Sequence, residues 1–212
     1  MTALIVSDAL KNDFATVVAI WGLTHASTRG LDSLILAWVK YEKQTRRLFS
    51  FLVQQRFAED PAAQAAVLEA IHANRKLNPK SQLEGIVRIT GVTEADLVGT
   101  SHARLSPEIE RIHRNRNKIL HGQLTGQKLD VARLEADVVH VIAWMTALAT
   151  GGTRKFNYDG LERNTARLAR VRPARINQYP FGTVGEFETW LNNLTAPLDR
   201  NRRDTRRDRV NE

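Results

Sequence analysis

Apolar residues recur at intervals of three and four along most of this 212-residue chain, and this spacing predicts helices. No segment alternates as a strand does, so the expected fold class is all-α. The predicted helices cover residues 8–30, 31–57, 61–76, 81–89, 94–98, 107–120 and 131–150. The sequence therefore predicts a helical bundle of about five main helices, followed by additional C-terminal helices and a basic tail.

Residues with helix-capping chemistry separate these segments. Ser106, Pro107 and Glu108 are typical of a helix start, because they offer a side-chain acceptor, a pre-set first turn and an early negative charge. Gly122 follows as the matching stop signal. The pair Gly151–Gly152 is expected to end the strongly apolar helix that begins after Asp130.

The composition of the chain changes after residue 150. Residues 150–212 carry five of the eight net positive charges of the chain. They include a basic segment expected to be helical over 161–175 and a capping-box pair, Thr183 and Glu186, ahead of a last short helix. The predicted division is a helical bundle over 1–150, a helical extension over 151–198 and an Arg-rich tail over 199–212.

Several functional classes are excluded or disfavoured by composition. The chain has no cysteine, which excludes disulfides and thiolate chemistry, and the expected location is cytoplasmic. It has neither a signal-peptide pattern nor an apolar stretch of about 20 residues, so no membrane association is expected. No phosphate-binding glycine loop and no metal-ligand spacing of histidines occur, so we predict neither a cofactor nor a metal site. The net charge of +8 favours a polyanionic partner.

One cation lies inside an apolar stripe. On the helix predicted at 107–120, Arg116 falls between Ile112 and Ile119, where burial of an unpaired charge would be costly. Glu42 is similarly out of place in the stripe of the second long helix and is the natural partner for Arg116. The alternative is a local surface pair between Glu42 and Arg46.

The same helix carries a short motif, Arg116-Asn117-Lys118-Ile119-Leu120-His121. It resembles the signature of the HEPN superfamily (higher eukaryotes and prokaryotes nucleotide-binding domain), an Arg and a polar residue followed after a short gap by a His. Arg114 and Asn115 fit the longer gap to the same His. The resemblance implies a metal-independent endoribonuclease whose active site forms across a dimer interface.

The chemistry of these residue types agrees with that activity. His121 can carry a proton near neutral pH, Arg116 can clamp a phosphate, and Asn117 can orient His121 or bond the phosphate. Five residues advance a helix by about 500°, so Arg116 and His121 point about 140° apart. Either the helix unwinds before His121, or Arg116 and His121 of different protomers meet in a homodimer.

Further residues are assigned weaker roles. The possible supporting residues are Glu42, Arg114, His113 and Lys118; the weak candidates for RNA binding are Arg111, Arg163, Arg167 and Arg170. His113 alone is more simply a flanking surface residue. We expect an RNA substrate, a toxin or anti-phage defence role and an antitoxin or regulatory partner. The alternatives are a non-catalytic helical RNA-binding or scaffold module and a DNA-binding protein that uses the basic C-terminal region.

Overall fold

A computed structural model describes residues 4–126, 130–161 and 179–196, and these ranges are helical without any strand. A 3-10 turn, Asp8–Leu10, leads into α1, and another, Gly99–Ser101, leads into α6. The α-helices are α1 Lys11–Trp21, α2 Arg29–Arg56, α3 Pro61–Ala73, α4 Pro79–Thr90, α5 Glu94–Val98, α6 His102–Leu120, α7 Val131–Phe156 and α8 Val184–Thr195. The prediction of an all-α bundle is confirmed.

The long helix α2 lies at the centre of the bundle. It packs against α1, α4 and α7, and Trp38, Phe49 and Leu52 of its predicted apolar stripe are buried, whereas Leu31 and Ile35 are partly exposed. The predicted core face of α7 is also buried, from Leu134 to Met145. Helix α7 supports α6, which packs along it.

The helix starts follow the capping signals closely. Asp60, Asn78, Thr93, Asp130 and Thr183 each accept a hydrogen bond from the backbone N–H three residues later. The third helix ends at Ala73, three residues before the predicted end, so Asn78 and Pro79 do not break it; they begin α4 two residues before its predicted start. The last described helix, α8, buries Phe187 and Leu191 and packs on α3 and α4.

Two further predicted helix ends are wrong. The first helix ends at Trp21 and not near Gly30, because residues 22–25 are exposed and offer no apolar face to bury. Gly151 and Gly152 do not stop α7, which continues to Phe156 across residue 150. A Cβ on Gly151 would lie 1.9 Å from the carbonyl oxygen of Leu97, so this glycine permits close packing of α5.

The start of α6 also differs from its prediction. The helix begins at His102, and Pro107 lies inside it instead of in its first turn. Proline has no N–H to donate to the carbonyl four residues earlier. That carbonyl belongs to Ala103, and because Ala103 and Pro107 are both exposed, water can bond to it. The additional turn brings His102 to Glu94 on α5, with 3.0 Å between Nε2 and Oε1.

Other expectations fall partly or wholly outside the described ranges. The basic segment over 161–175 lies outside them except for Leu161, and the tail over 199–212 lies wholly outside. Among the described helices, none has both the length and the apolar character that crossing a membrane requires.

Candidate functional site

The candidate site lies where the middle of α2 meets the C-terminal half of α6. On α2, Trp38 and Glu42 are four residues apart and share one face. On α6, His113 and Asn117 have the same spacing, and Arg116 lies beside them. Side chains from these two helices form one continuous chain of contacts.

Arg116 is the centre of this arrangement. Its Nη2 lies 3.3 Å from Oε1 of Glu42, and its Nη1 donates to Oδ1 of Asn117 at 2.9 Å. The Arg116–Glu42 pairing predicted from the two apolar stripes is therefore present. The pair is not sealed from solvent, since the side chains are 21% and 34% exposed. The buried Nε of Arg116 has no hydrogen-bond partner among the described residues.

Glu42 is fixed in place from its own helix. The indole Nε1 of Trp38 donates to Oε1 of Glu42 at 2.9 Å, so this oxygen faces both Trp38 and Arg116. This oxygen therefore connects the indole N–H on α2 to the guanidinium on α6, and the bond from Trp38 fixes the direction in which Glu42 meets Arg116.

His113 belongs to the site more closely than its sequence context indicates. Its ring stacks on Trp38, with 5.4 Å between centroids and 10° between planes, and its Nε2 lies 3.0 Å from Nδ2 of Asn117. Because Oδ1 of Asn117 already accepts from Arg116, Nδ2 of Asn117 donates and Nε2 of His113 accepts. Burial, and then the charge of Arg116, lowers the pKa of His113, which favours this neutral imidazole.

His121 stands apart from this group. The helix ends at Leu120, His121 is exposed, and its N–H bonds to the carbonyl of Asn117 at 3.1 Å. Gly122, with φ of 65°, turns the chain away, as the stop signal predicts. Within the described part of the chain, no side chain bonds to the His121 imidazole. The structure therefore brings Arg116 and Asn117 together with His113 but not with His121.

The remaining candidates have different surroundings. Arg114 is 67% exposed, with Glu110 4.0 Å away, and Lys118 is exposed. Arg111 binds two carboxylates: its Nη2 lies 2.7 Å from Glu108, and its Nη1 donates to Asp137 on α7 at 3.1 Å. Arg163, Arg167 and Arg170 lie outside the described residues.

Glu108, Asp137 and His140 offer donor atoms within 4.8 Å of one another, a spacing that could hold a metal ion. Both carboxylates are already bonded to the Arg111 guanidinium. Arg133 approaches the same two carboxylates, at 3.8 Å from each. Both carboxylates are therefore part of an ion-pair network that ties α6 to α7.

Exposed apolar side chains lie on the same stretches of α2 and α6 as the candidate site. Val39 on α2, Leu120 at the end of α6 and Leu124 in the following loop are 45%, 52% and 93% exposed. Leu120 and Leu124 are only four residues apart, so these two offer apolar surface at the end of α6.

Comparison with family models, with curated proteins and with solved structures finds no match to this chain. Functional inference therefore rests on the motif, the helical fold and the geometry of the site.

Proposed function

We propose that this protein is a cytoplasmic, homodimeric and metal-independent endoribonuclease of the HEPN type. The observation that carries the proposal is the position of Arg116. Its guanidinium is held at a solvent-accessible edge by Glu42 and Asn117, and the exposed His121 ends the same helix. A fixed cation and an accessible imidazole, both carried by α6 and its C-cap, are the two kinds of group that cleavage of an RNA phosphodiester needs.

The reaction needs a base and an acid in one site. One imidazole removes the proton of the ribose 2′-hydroxyl as O2′ forms a bond to phosphorus. The bond from phosphorus to O5′ of the next nucleotide breaks, and an imidazolium donates a proton to that oxygen. The products carry a 2′,3′-cyclic phosphate and a 5′-hydroxyl, and Arg116 stabilises the charge on the phosphoryl oxygens.

A dimer provides the second imidazole. Arg116 and His121 point about 140° apart on one helix, so a single α6 does not direct both at one phosphate. A two-fold axis beside the end of α6 brings His121 of one protomer toward Arg116 of the other. The exposed Leu120 and Leu124 supply apolar surface for such a contact. A toxin or defence effector held by an antitoxin is the biological setting that the resemblance suggests.

The test is incubation of the purified protein with total RNA in EDTA, followed by analysis of the new ends. We expect cleavage in chelator, with cyclic phosphate and 5′-hydroxyl ends, and its loss in His121→Ala. His72→Ala is the matched control, because His72 is another exposed histidine near the end of a helix. Products with 5′-phosphate ends, or a requirement for magnesium, would contradict the proposal.

The ion pair between Glu42 and Arg116 favours a second candidate, a non-catalytic helical RNA-binding or scaffold module in which Arg116 is structural. This candidate predicts a folded His121→Ala variant that behaves like the wild type in every assay. It also predicts that RNA is bound without being cut.

A further inference from the structure

The side chains of the candidate site form a closed cycle of contacts between α2 and α6. On α2, Trp38 donates to Glu42, whose Oε1 also meets Arg116 on α6. Arg116 donates to Asn117, and Asn117 bonds to His113. The cycle closes where the imidazole of His113 stacks on the indole of Trp38. In this contact cycle, each side chain is held from two sides.

The hydrogen bonds on α6 have only one possible direction. A guanidinium donates and cannot accept, so Arg116 must meet the carbonyl oxygen of the Asn117 amide. The amide nitrogen of Asn117 then faces His113, with 3.0 Å between Nδ2 and Nε2. Because an amide NH2 group also only donates, Nε2 of His113 must accept, and the imidazole must be neutral with its proton on Nδ1.

Protonation of His113 is incompatible with this arrangement. Among the members of the contact cycle, histidine has the ordinary pKa that lies closest to neutral pH. A protonated imidazole donates from both nitrogens, so Nε2 can no longer accept from the Asn117 amide. The amide then either faces a second donor at His113 or turns and presents its NH2 group to Arg116. In both cases the amide holds the guanidinium less firmly.

The charged surroundings of His113 favour the neutral imidazole that the hydrogen bonds require. Burial, and then the charge of Arg116, lowers the pKa of His113. Glu42 acts in the opposite direction, while Lys80 and Arg114 add smaller lowering effects. The cavity that His113 lines adds three further titratable groups, Tyr41, Glu94 and Glu110.

We propose that His113 is a positioning residue of the nuclease site: its neutral imidazole fixes Asn117, and Asn117 fixes the Arg116 guanidinium for the RNA phosphate. A guanidinium that is held before binding loses less rotamer freedom when the phosphate arrives. Arg116 should therefore contribute fully to RNA binding only while His113 is neutral. The proposal rests on the proposed function in taking an RNA phosphate as the ligand of Arg116, and it assigns His113 no contact with the RNA.

The first test locates the proton on His113 in the full chain by long-range nitrogen–proton correlation NMR. We expect a neutral imidazole at neutral pH, with its proton on Nδ1. Asn117→Ala should raise the pKa of His113, because it removes the donor whose bond favours the neutral form. His72, which is exposed on α3, is the internal reference, and its signals should be the same in both proteins.

The second test measures the contribution of Arg116 to RNA binding at different pH values. The probe is dye-labelled poly(U), and every protein carries His121→Ala, so that on the proposed function the RNA is not cut. We expect Arg116→Gln to weaken binding at least about tenfold at neutral pH, the usual effect of losing one charge-assisted hydrogen bond, and less than about twofold below the pKa of His113. Comparing two proteins at one pH cancels the general gain in affinity for a polyanion that acidification brings. Circular dichroism at each pH verifies that the helices stay folded.

Two variants of His113 separate its acceptor from its packing. His113→Gln places an amide oxygen near the position of Nε2 and does not titrate, so Arg116→Gln should weaken binding about tenfold at both pH values. His113→Phe keeps a ring to stack on Trp38 but has no acceptor, so Arg116→Gln should have a small effect at both pH values. If His113→Phe does not fold, the NMR measurement and His113→Gln decide the matter.

Several results would overturn the proposal. They are a proton on Nε2 of His113, an unchanged pKa of His113 in Asn117→Ala, and an effect of Arg116→Gln that is independent of pH when His113 is present. Equal effects of Arg116→Gln in His113→Gln and His113→Phe would also overturn it, because His113 would then only fill space beside Trp38.

The positioning role and the nuclease fail in different ways. RNA left intact by the wild type, with an effect of Arg116→Gln that disappears on acidification, supports the positioning role and contradicts the nuclease. Cleavage that His121→Ala abolishes, with an effect of Arg116→Gln that is independent of pH, supports the nuclease and overturns the positioning role.

Discussion

The strength of the Arg116–Glu42 interaction distinguishes two roles for Arg116. A strong interaction would make it a structural arginine, and a weak one leaves it available to a ligand. At 3.3 Å, the attraction between two unit charges is about 1.3 kcal/mol in water and about 5 kcal/mol at an effective dielectric constant of about 20. Both side chains are partly exposed to solvent, so the attraction between them should be close to the lower of these two values. Glu42 also keeps its hydrogen bond from Trp38 when Arg116 is removed.

We therefore expect a coupling free energy of about 1 kcal/mol between Arg116 and Glu42. Arg116→Ala should lower the free energy of unfolding by about 1–2 kcal/mol in total, because the aliphatic stem of the arginine also loses packing. For a chain of this length, the melting temperature should fall by about 2–4 °C per kcal/mol. The measurement is a double-mutant cycle of Arg116→Ala and Glu42→Gln by urea unfolding.

Arg111→Ala provides the matched comparison. Asp137, one partner of Arg111, is 0% exposed, so this variant leaves a fully buried carboxylate with only the Arg133 guanidinium, at 3.8 Å and without a hydrogen bond. Its cost should be about 3–5 kcal/mol, well above that of Arg116→Ala. A coupling of about 3 kcal/mol or more between Arg116 and Glu42, or equal costs for the two arginine variants, would refute the reasoning and make Arg116 structural.

Three further predictions concern pH, packing and the tail. His113→Asn should reduce the loss of stability on acidification. Burial lowers the pKa of His113 in the folded chain, so the unfolded chain takes up the proton first, and the free energy of unfolding falls as the pH drops below about 6.5. Urea unfolding midpoints measured across this pH range test the prediction. Gly151→Ala should cost about 3 kcal/mol in thermal melts, because its Cβ would meet the Leu97 backbone, whereas Gly185→Ala, with open space around it, should change stability by about 0.5 kcal/mol or less. Deletion of residues 199–212, which hold six arginines, should leave the helical fold intact and lower the salt slope of RNA binding by about 0.7–0.9 for each phosphate that the tail neutralises in the full chain.

Each of these predictions has a contrary result. The pKa of His140 is also lowered by burial, so some acid sensitivity should remain in His113→Asn; an unchanged profile would mean that His113 is not buried as described. A Gly151→Ala variant as stable as Gly185→Ala would show that α5 can move away from α7. A truncated chain that does not fold would make the tail structural.

Interactions within three or four residues could be predicted from the sequence. The caps at Thr93, Asp130 and Thr183 are examples, because each depends on one side chain and a backbone N–H three residues later. The Glu42–Arg116 pair could also be predicted, since each charge interrupts an apolar stripe and needs a partner. Each cap, and each charge that interrupts an apolar stripe, can be recognised within the sequence of one helix.

Packing between helices could not be predicted in the same way. The Gly151–Gly152 pair has the pattern of a helix stop in the sequence. Only the structure shows that Gly151 lies inside α7 and contacts the backbone of Leu97 on α5. His113 has the appearance of a surface residue, because the ring on which it stacks, Trp38, lies on another helix. A cavity beside them is lined by residues of five helices, so no sequence pattern within one helix could have predicted it.

A weak ion pair and a phosphate-binding role for Arg116 are compatible in one site. Glu42 and Asn117 hold the guanidinium in a fixed direction, so little rotamer entropy remains to be lost when a ligand binds. A coupling of about 1 kcal/mol with Glu42 is small beside the gain from a charge-assisted arginine–phosphate contact, so a phosphate can compete for the free edge of the guanidinium. The Asn117 amide connects Arg116 to His113, because its Oδ1 accepts from the guanidinium and its Nδ2 donates to the imidazole. The polar residue after the arginine thereby fixes the guanidinium and the neighbouring imidazole relative to each other.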